Sequence, residues 1–243
     1  MSVRRPFYEG ETIDLLVPTR EDVEDSTWVD WFNSQRTNRY TQHALFPNTA
    51  EKQLEFHESL QNNSRLSLLI STKQERQIIG TISLSDIDFR RSCAAIALVM
   101  DAEAGHSGSP FASLEAMALV TQHGFEALGL SRINAGQVYP ALAKWNQLLE
   151  ILGYRAEGFR RQAFRRGHIV SDEVTLACLY SNYTNLLATR GGALWPGVDR
   201  VSTLIRELPK TPFAQLLDES YRALEASYFG DATNADDGAT TRP

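Results

Sequence analysis

A short loop rich in small residues is the first stretch of this sequence whose composition suits chemistry. It reads Gly105-His-Ser-Gly-Ser-Pro-Phe and precedes an apolar periodic segment that predicts a helix ending near Gly129. Ser109 predicts the N-cap and Pro110 the first helical position, because serine caps well and proline loses no needed hydrogen bond there. The free N–H groups and positive dipole end of such a helix attract anions. The loop therefore indicates a diphosphate site, and the alternative is an ordinary turn into a buried helix.

Groups able to carry a proton surround the same loop. Asp101, Glu103 and His106 lie in or just before it, and Tyr139 ends the apolar run that follows the helix. Carboxyl, imidazole and phenol groups all serve in general acid–base catalysis. We expect Tyr139, Asp101 and His106 to act in this way. The alternatives are a polar loop residue at His106 and a packing residue at Tyr139.

A polar segment between two predicted helices indicates a second binding surface. Trp28 and Trp31 lie at helical spacing and predict core anchors. The stretch from Asn33 to His43 is polar and is harder to explain by packing alone. Thr49 follows it and predicts the N-cap of the next helix.

Composition and charge exclude several classes of protein. Of the 243 residues, 42% are hydrophobic and 22% are charged, which is typical of a soluble globular chain. No apolar run approaches the ~20 residues that cross a bilayer, and the first residues do not resemble a secretory signal. The formal net charge of −6 argues against general nucleic-acid binding.

The two cysteines predict no thiol or metal chemistry. Cys93 and Cys178 lie in apolar, strand-like runs without metal-ligand spacing. They are typical of small buried hydrophobes in a reducing compartment, which predicts a cytoplasmic protein with no metal site.

One local basic excess stands out on a predicted hairpin. Two interpretations are open for this cluster, namely a solvated strand face and a contact with the phosphate of a small ligand. Its members are Arg155, Arg160, Arg161, Arg165 and Arg166, with Glu157 as the single acid.

These groups must be positioned by a mixed set of elements. Apolar runs bounded by polar turns predict seven strands. Their bounds are Ile13–Val17, Leu66–Ile70, Ile78–Leu84, Ala94–Met100, Ile133–Tyr139, Tyr154–Phe164 and His168–Tyr180. Helices are predicted after Thr19, around Trp28, after Thr49, after Ser109 and over Ala141–Leu152.

The chain after the last predicted strand has a different character. Two further helices are predicted over Val198–Leu208 and Phe213–Phe229, behind a Trp195-Pro-Gly linker. We expect them to pack on the same chain, the alternatives being a homodimer contact or a lid. The expected division is a main domain over 8–182, a helical extension over 183–229 and a disordered tail over 230–243.

Several motifs, taken in order, resemble a known family. The stretches that carry the resemblance are Gly80-Thr-Ile-Ser-Leu, Gly105-His-Ser-Gly-Ser-Pro-Phe-Ala-Ser-Leu-Glu-Ala, His123-Gly-Phe-Glu-Ala-Leu-Gly-Leu-Ser-Arg-Ile, Leu149-Glu-Ile-Leu-Gly-Tyr-Arg-Ala-Glu-Gly-Phe-Arg-Arg and Gly167-His-Ile-Val-Ser-Asp-Glu. Between Ile13 and Tyr180 the chain is similar to the GNAT (Gcn5-related N-acetyltransferase) family, particularly its RimJ/RimL-like and amino-sugar branches.

The resemblance implies a fold, a co-substrate and two binding surfaces. The fold is α/β (α+β), with a mixed, mostly antiparallel sheet of about seven strands flanked by helices. The co-substrate is acetyl-CoA, whose pantetheine arm pairs with a splayed strand before the loop. By position, the residues implied for acetyl-CoA are Leu98, Val99, Met100, Gly105, Ser107, Gly108, Ser109, Phe111 and Ala112. The residues implied for the acceptor are Trp31, Asn33, Arg36, Tyr40 and His43.

The chain departs from the family pattern where the family places catalytic groups. A frequent general-base Glu falls on Gln137, a common Asn on Leu142 and a common general-acid Tyr on Leu149. Pro110 or Phe111 stands where the loop usually has its second Gly.

The implied activity is direct transfer of an acetyl group to a primary amine. The first expectation for the acceptor is a small molecule, a nucleotide-linked amino sugar. The alternatives are acetylation of a protein N-terminus, as in ribosomal-protein acetyltransferases, and a non-catalytic module that binds CoA.

Overall fold

Eight strands form a single sheet in the computed structural model, which describes residues 4–41, 45–60, 64–103 and 109–230. The strands are β1 (Tyr8–Glu9), β2 (Ile13–Leu16), β3 (Leu66–Thr72), β4 (Ile78–Asp88), β5 (Cys93–Met100), β6 (Arg132–Tyr139), β7 (Arg155–Arg166) and β8 (Ile169–Leu179). Their order across the sheet is β1-β2-β3-β4-β5-β6-β8-β7. Every neighbouring pair is antiparallel except β5 and β6, which run parallel. The predicted fold class is confirmed, with the two-residue β1 as an additional edge strand.

The helices lie on both faces of this sheet. They are α1 (Arg20–Asp25), α2 (Trp28–Trp31), α3 (Ala50–Ser59), α4 (Ala112–Glu126), α5 (Ala143–Glu150), α6 (Tyr180–Arg190), α7 (Val198–Glu207) and α8 (Phe213–Phe229). Successive side chains of a strand point to opposite faces. Accordingly Leu68 and Ile70 of β3 join the main core with α4, whereas Leu69 between them joins a second cluster with Trp28 and Trp31. Thus α4 covers one face, and the short helices α1 and α2 cover the other.

Local capping explains where some helices begin. Thr49 is the N-cap of α3 as predicted, since its hydroxyl accepts a hydrogen bond from the Lys52 N–H. The prediction for α4 was wrong by two residues. Its N-cap is Phe111, which has no side-chain cap, and Ser109 forms the turn before it. Helix α6 was not predicted, because the strand pattern continues directly into its first residues.

The C-terminal helices share the main core of the chain. Leu194, Val201 and Ala214 are at most 2% exposed and belong to the same hydrophobic cluster as the sheet. Packing on the same chain is therefore confirmed for the segment up to α8. Residues 231–243, on which most of the tail prediction falls, lie outside the described residues. In the part of the chain that the structure describes, no helix has the length and apolar character to span a membrane.

Candidate functional site

Strands β5 and β6 pair at one end and separate at the other. Their parallel pairing joins Cys93–Ala95 to Arg132–Asn134 and goes no further. Beyond this point β5 stays paired with β4 up to Met100, and β6 stays paired with β8 up to Tyr139. Among the described residues, the edge of β5 after Ala95 that faces β6 thus has no strand partner. This gap presents backbone groups to which an extended ligand can add as a further strand does.

The start of helix α4 lies beyond the open end of β5. The Ser109 hydroxyl accepts a hydrogen bond from the Phe111 N–H at 3.1 Å, and the Ser109 carbonyl accepts one from the Ala112 N–H at 3.0 Å. The N–H groups of Ser113 and Leu114 have no hydrogen-bond partner within the described residues. The helix therefore offers two free donors at its positive end. The predicted phosphate-binding residues Gly105, Ser107 and Gly108 lie outside the described residues, as does His106.

Helix α5 contributes a buried amide without a partner. Asn146 is 1% exposed, and neither its Oδ1 nor its Nδ2 has a hydrogen-bond partner in the described chain. It lies one turn before the fully buried Leu149 and therefore on the same side of the helix. Leu149 stands where the resemblance implies the general acid. A buried amide normally has hydrogen-bond partners, so two side-chain atoms that lack one within the described residues are unusual at this depth.

A cavity of about 440 Å³ lies on the face of the sheet opposite to α4, between β3–β5 and the helices α2 and α3. Its floor consists of small side chains of the three strands, and its walls are mostly aromatic. The lining residues are Trp28, Phe32, Phe46, Pro47, Asn48, Lys52, Gln53, Phe56, Arg65, Ser67, Thr81, Ser83, Ser85, Ala97 and Val99. Ala97 and Val99 belong to the part of β5 that is paired with β4 but not with β6. The cavity and the gap therefore share this strand.

The charge of this cavity is positive. Lys52 and Arg65 line it, and none of its described lining residues is a carboxylate. The Lys52 ammonium donates to the Pro47 carbonyl at 3.0 Å, and the Arg65 guanidinium lies 5.6 Å from the centre of the Phe56 ring. A carbonyl and an aromatic ring carry no net charge, so these two contacts do not neutralise the positive charges of Lys52 and Arg65.

A broader and more open depression of about 850 Å³ adjoins this cavity through Phe46 and Pro47. Its other lining residues are Asn33, Gln35, Arg39, Leu45, Arg166 and Ile169, again without a carboxylate among those described. Leu45, Phe46 and Ile169 are exposed apolar side chains here. The two concave surfaces together form one positively charged, partly apolar groove.

The residues predicted for the acceptor lie in different places. Trp31 is buried and donates through Nε1 to the Thr27 hydroxyl at 3.0 Å, away from the cavity lining. Asn33 lines the open depression. Arg36 is exposed and lies 3.8 Å from Glu103, and the exposed Tyr40 ring contacts Arg39. His43 lies outside the described residues. Contact of these residues with an acceptor stays a prediction.

The two candidate proton carriers that the structure describes, Tyr139 and Asp101, contact different groups. The Tyr139 hydroxyl lies 3.5 Å from Asp218 Oδ2 of α8, and burial, followed by this carboxylate, raises the pKa of Tyr139. A phenol with a raised pKa holds its proton at neutral pH. Asp101 accepts a hydrogen bond from the Glu103 N–H at 2.9 Å in the turn after β5. Sequence reasoning missed Asp218, whose contact with Tyr139 joins residues 79 positions apart.

The arginine cluster is engaged with the protein itself. Each of its five members donates to a carboxylate or a carbonyl of the chain. The acceptors are the Glu150 carbonyl for Arg155, Glu173 for Arg160, Glu225 for Arg161, the Gly167 carbonyl for Arg165 and the Asn38 carbonyl for Arg166. For most of these arginines, the contacts within the protein account for the position of the side chain without a bound ligand.

The described residues offer no cluster for a metal ion, and the thiol of Cys178 is not activated. Outside the undescribed segments, no group of His, Cys, Asp and Glu side chains is placed to hold a metal ion. Cys178 is buried, and burial raises its pKa to about 12, so its thiol stays protonated.

Comparison with known proteins adds a family to this geometry. The family described as Acetyltransferase (GNAT) domain matches residues 14–150. Probable N-acetyltransferase YjcK of Bacillus subtilis (strain 168) is 27% identical over 176 residues, which are 70% of this chain and 96% of that protein.

Solved structures share the fold at low sequence identity. The spermidine N-acetyltransferase from Vibrio cholerae, solved in complex with CoA and spermine, has a TM-score of 0.63 and 19% identity, covering 72% of this chain and 99% of that one. An acetyltransferase (GNAT family) from Bacillus anthracis has a TM-score of 0.58 and 19% identity, covering 70% and 96%.

The family match spans more than half of the chain and runs from β2 to the end of α5. It therefore includes the gap between β5 and β6, the start of α4 and the floor of the cavity. The predicted GNAT family, the enzyme class and the co-substrate are confirmed. The chain belongs to the GNAT acetyltransferase family and is an N-acetyltransferase that uses acetyl-CoA.

Proposed function

We propose that this enzyme acetylates a primary amine of a small molecule that also carries negative charge, with a nucleotide-linked amino sugar as the first candidate. The observation that carries the proposal is the cavity beside β5, which contains Lys52 and Arg65 and, among its described lining, no carboxylate. Such a cavity favours an acceptor with anionic groups near its amine.

Acetyl-CoA fits the gap between β5 and β6 on two observations. Among the described residues, the β5 edge at Leu98, Val99 and Met100 has no partner on the β6 side, which suits the amides of a pantetheine arm. The Asn146 amide is buried without partners among the described residues, and a peptide-like group could satisfy both of its atoms. The start of α4 at Ala112, with Ser109 and Phe111, would face the diphosphate. When bound, acetyl-CoA supplies the thioester carbon that the amine attacks.

The positive cavity argues against a polyamine acceptor. The Vibrio cholerae neighbour acts on spermidine and binds spermine, which are polycations. A polycation needs carboxylates to offset its charge, whereas Lys52 and Arg65 would repel it. The adjoining depression adds Arg39 and Arg166, which extends the positive surface away from the transfer site. A nucleotide diphosphate provides negative charge at that position.

The open depression also favours a second candidate, the amino terminus of a protein. Leu45, Phe46 and Ile169 are 67%, 79% and 66% exposed, and such apolar side chains can hold the residues that follow a peptide N-terminus. This acceptor would need no phosphate and would tolerate loss of the cavity cations.

We assign proton transfer to Tyr139 and Asp101, with His106 as the third candidate. Tyr139 would donate a proton to the departing thiolate, because its raised pKa keeps the hydroxyl protonated. Asp101, at the end of β5, would accept the proton of the incoming amine. Gln137 and Leu149 cannot perform these steps, since neither side chain titrates.

We also propose a cytoplasmic location and a division of the chain. The two cysteines are free, which fits a reducing compartment. The division places the transferase domain at 8–182 and a helical extension at 183–229, ahead of a tail. The exposed apolar residues Leu216, Leu224 and Tyr228 of α8 are the surface for a possible homodimer, which light scattering would detect.

The test measures thiol release from acetyl-CoA with three amines. They are a nucleotide-linked amino sugar, a peptide with a free N-terminus and spermidine. We expect turnover with the first and little with spermidine. Arg65→Gln should raise the KM of the nucleotide-linked sugar by about tenfold, since one charge contact is lost. The control Lys73→Gln alters a cation that lies near Asp14 outside the cavity and should change nothing. Faster turnover with the peptide or spermidine would contradict the proposal.

A further inference from the structure

Two buried hydrogen-bond donors in the cavity wall lack a partner in the part of the chain that the structure describes. Trp28 is fully buried and Gln53 is 3% exposed, and both line the cavity beside β5. Within the described residues, neither the Trp28 Nε1 nor the Gln53 Nε2 has a hydrogen-bond partner. Burying a donor without a partner is unfavourable, and native proteins rarely do so twice in one wall. The two donors therefore indicate an oxygen atom supplied by a ligand.

The free donor of Gln53 is fixed in place by its neighbours. Asn48 donates through Nδ2 to Gln53 Oε1 at 2.9 Å, so the amide nitrogen is the end left free. Asn48 is held in turn by Asn33, whose Oδ1 accepts from the Asn48 N–H at 2.7 Å and whose Nδ2 donates to the Asn48 carbonyl at 3.0 Å. Asn33 thus acts on the cavity as a positioning residue through Asn48.

The surroundings of the two donors select a charged oxygen over a neutral one. Lys52 precedes Gln53 on α3, and Arg65 stacks on Phe56 in the same lining. Donors and cations together suit a carboxylate or a phosphate, which accepts hydrogen bonds and carries negative charge. An ammonium group has no lone pair to accept from Trp28 or Gln53.

We propose that Trp28 and Gln53 form a donor pair that binds an oxyanion of the amine acceptor and so selects anionic acceptors. The inference rests on the proposed function in that the oxyanion belongs to the acceptor. Asn48 and Asn33 hold the Gln53 amide in the binding orientation. The selectivity of the enzyme is then set by these donors in addition to Lys52 and Arg65.

The direct test observes the Trp28 indole N–H by ¹⁵N NMR in the presence of CoA. Three probes are titrated, namely a nucleoside-diphosphate-linked amino sugar, a 2-aminouronic acid and the free neutral amino sugar. We expect the indole signal, assigned with Trp28→Phe, to shift with one of the anionic probes and not with the neutral sugar. A shift with the first assigns the oxyanion to phosphate, and a shift with the second assigns it to carboxylate.

Variants measure the same contacts by affinity. Trp28→Phe and Gln53→Met remove one donor each with similar shape, and each should weaken calorimetric binding of the anionic probe by roughly tenfold to a hundredfold. Trp195→Phe is the matched control, because Trp195 does not line the cavity and its indole Nε1 is bonded to Glu11. It should leave the affinity unchanged. If Trp28→Phe does not fold, the variants Trp31→Phe, Trp145→Phe and Trp195→Phe assign the Trp28 indole signal by elimination. The NMR titration and the affinity of Gln53→Met then still test the donor pair.

The outcomes separate this inference from the proposed function. An indole shift with the aminouronic acid, without acetylation of the nucleotide-linked sugar, supports the donor pair and rejects that sugar. Acetylation of the nucleotide-linked sugar with no indole shift and with binding by Gln53→Met equal to the control supports the function and overturns the donor pair. An equal shift with the neutral sugar overturns the selection of an oxyanion.

Discussion

Replacing Asn146 by leucine should have opposite effects on stability and on co-substrate binding. Asn146 is 1% exposed on α5, and both polar atoms of its side chain lack partners among the described residues. Leucine has a similar shape and no polar atoms, so it removes the unfavourable burial without creating a large cavity. We therefore expect the ligand-free protein to become more stable and acetyl-CoA to bind less tightly.

The magnitudes follow from the two unpaired atoms. Leaving one buried polar group unsatisfied costs about 1–3 kcal/mol, so two of them give about 2–4 kcal/mol for Asn146→Leu after partial relaxation. For a chain of this size, each kcal/mol corresponds to about 2–4 °C, which predicts a rise of at least about 4 °C in Tm. Loss of two hydrogen bonds to acetyl-CoA should raise its Kd by about tenfold to a hundredfold.

Differential scanning calorimetry without ligand and isothermal titration with acetyl-CoA check both effects on one protein preparation. The control is Gln147→Leu on the same helix, whose amide donates to the Pro209 carbonyl at 2.6 Å. That change removes a satisfied bond, so Tm should fall slightly while the Kd stays unchanged. A Tm of Asn146→Leu at or below that of the parent, or an unaltered Kd, would refute the assignment of Asn146 to the co-substrate site.

Three further predictions follow from the described contacts. Glu115 is fully buried and anchors the loop before β2, because it accepts hydrogen bonds from Thr12 and from the Glu11 N–H. Glu115→Ala should therefore lower the free energy of unfolding by about 2–5 kcal/mol in a denaturant titration. An unchanged free energy of unfolding would contradict this anchoring role. Tyr139→Phe should lower kcat by roughly tenfold or more with little change in KM. Asp218→Asn should move the basic limb of the pH profile of kcat to lower pH, because it removes a negative charge that raises the pKa of Tyr139. A basic limb that does not move would show that Tyr139 is not the general acid. Deletion of the chain from Leu194 onward should give a less stable protein in thermal unfolding, because it removes Leu194, Val201 and Ala214 from the core, and an unchanged Tm would contradict their packing role.

The sequence supports prediction where the physical signal is local. The apolar run Ala94–Met100 and the amphipathic segment after Ser109 specify β5 and α4 through periodicity alone, and Thr49 specifies the start of α3 through its hydroxyl. The motifs between Gly80 and Gly167 also fall in the order that the family requires. The family and the co-substrate could therefore be predicted before any coordinates.

The parts that escaped prediction depend on contacts between distant residues. Asn146, Trp28 and Gln53 look like ordinary helix residues. Only packing reveals that both amide atoms of Asn146, the indole nitrogen of Trp28 and the amide nitrogen of Gln53 lack a partner within the described residues. The role of Asn33 depends on Asn48, which lies 15 positions away. Helix α6 follows β8 without a break, so the strand pattern hides its start. Its end was marked in the sequence by Gly191, which has a φ of 72° that favours glycine.

The selection of an anionic acceptor is tested most directly by the ratio of kcat/KM for one amino sugar with and without its nucleotide diphosphate. Thiol release from acetyl-CoA measures both rates. We expect the nucleotide-linked form to be preferred by at least about a hundredfold, since it alone meets the cavity cations and the donor pair. Equal values of kcat/KM for the two forms, or a higher value for spermidine than for either, would show that the enzyme does not select anionic acceptors.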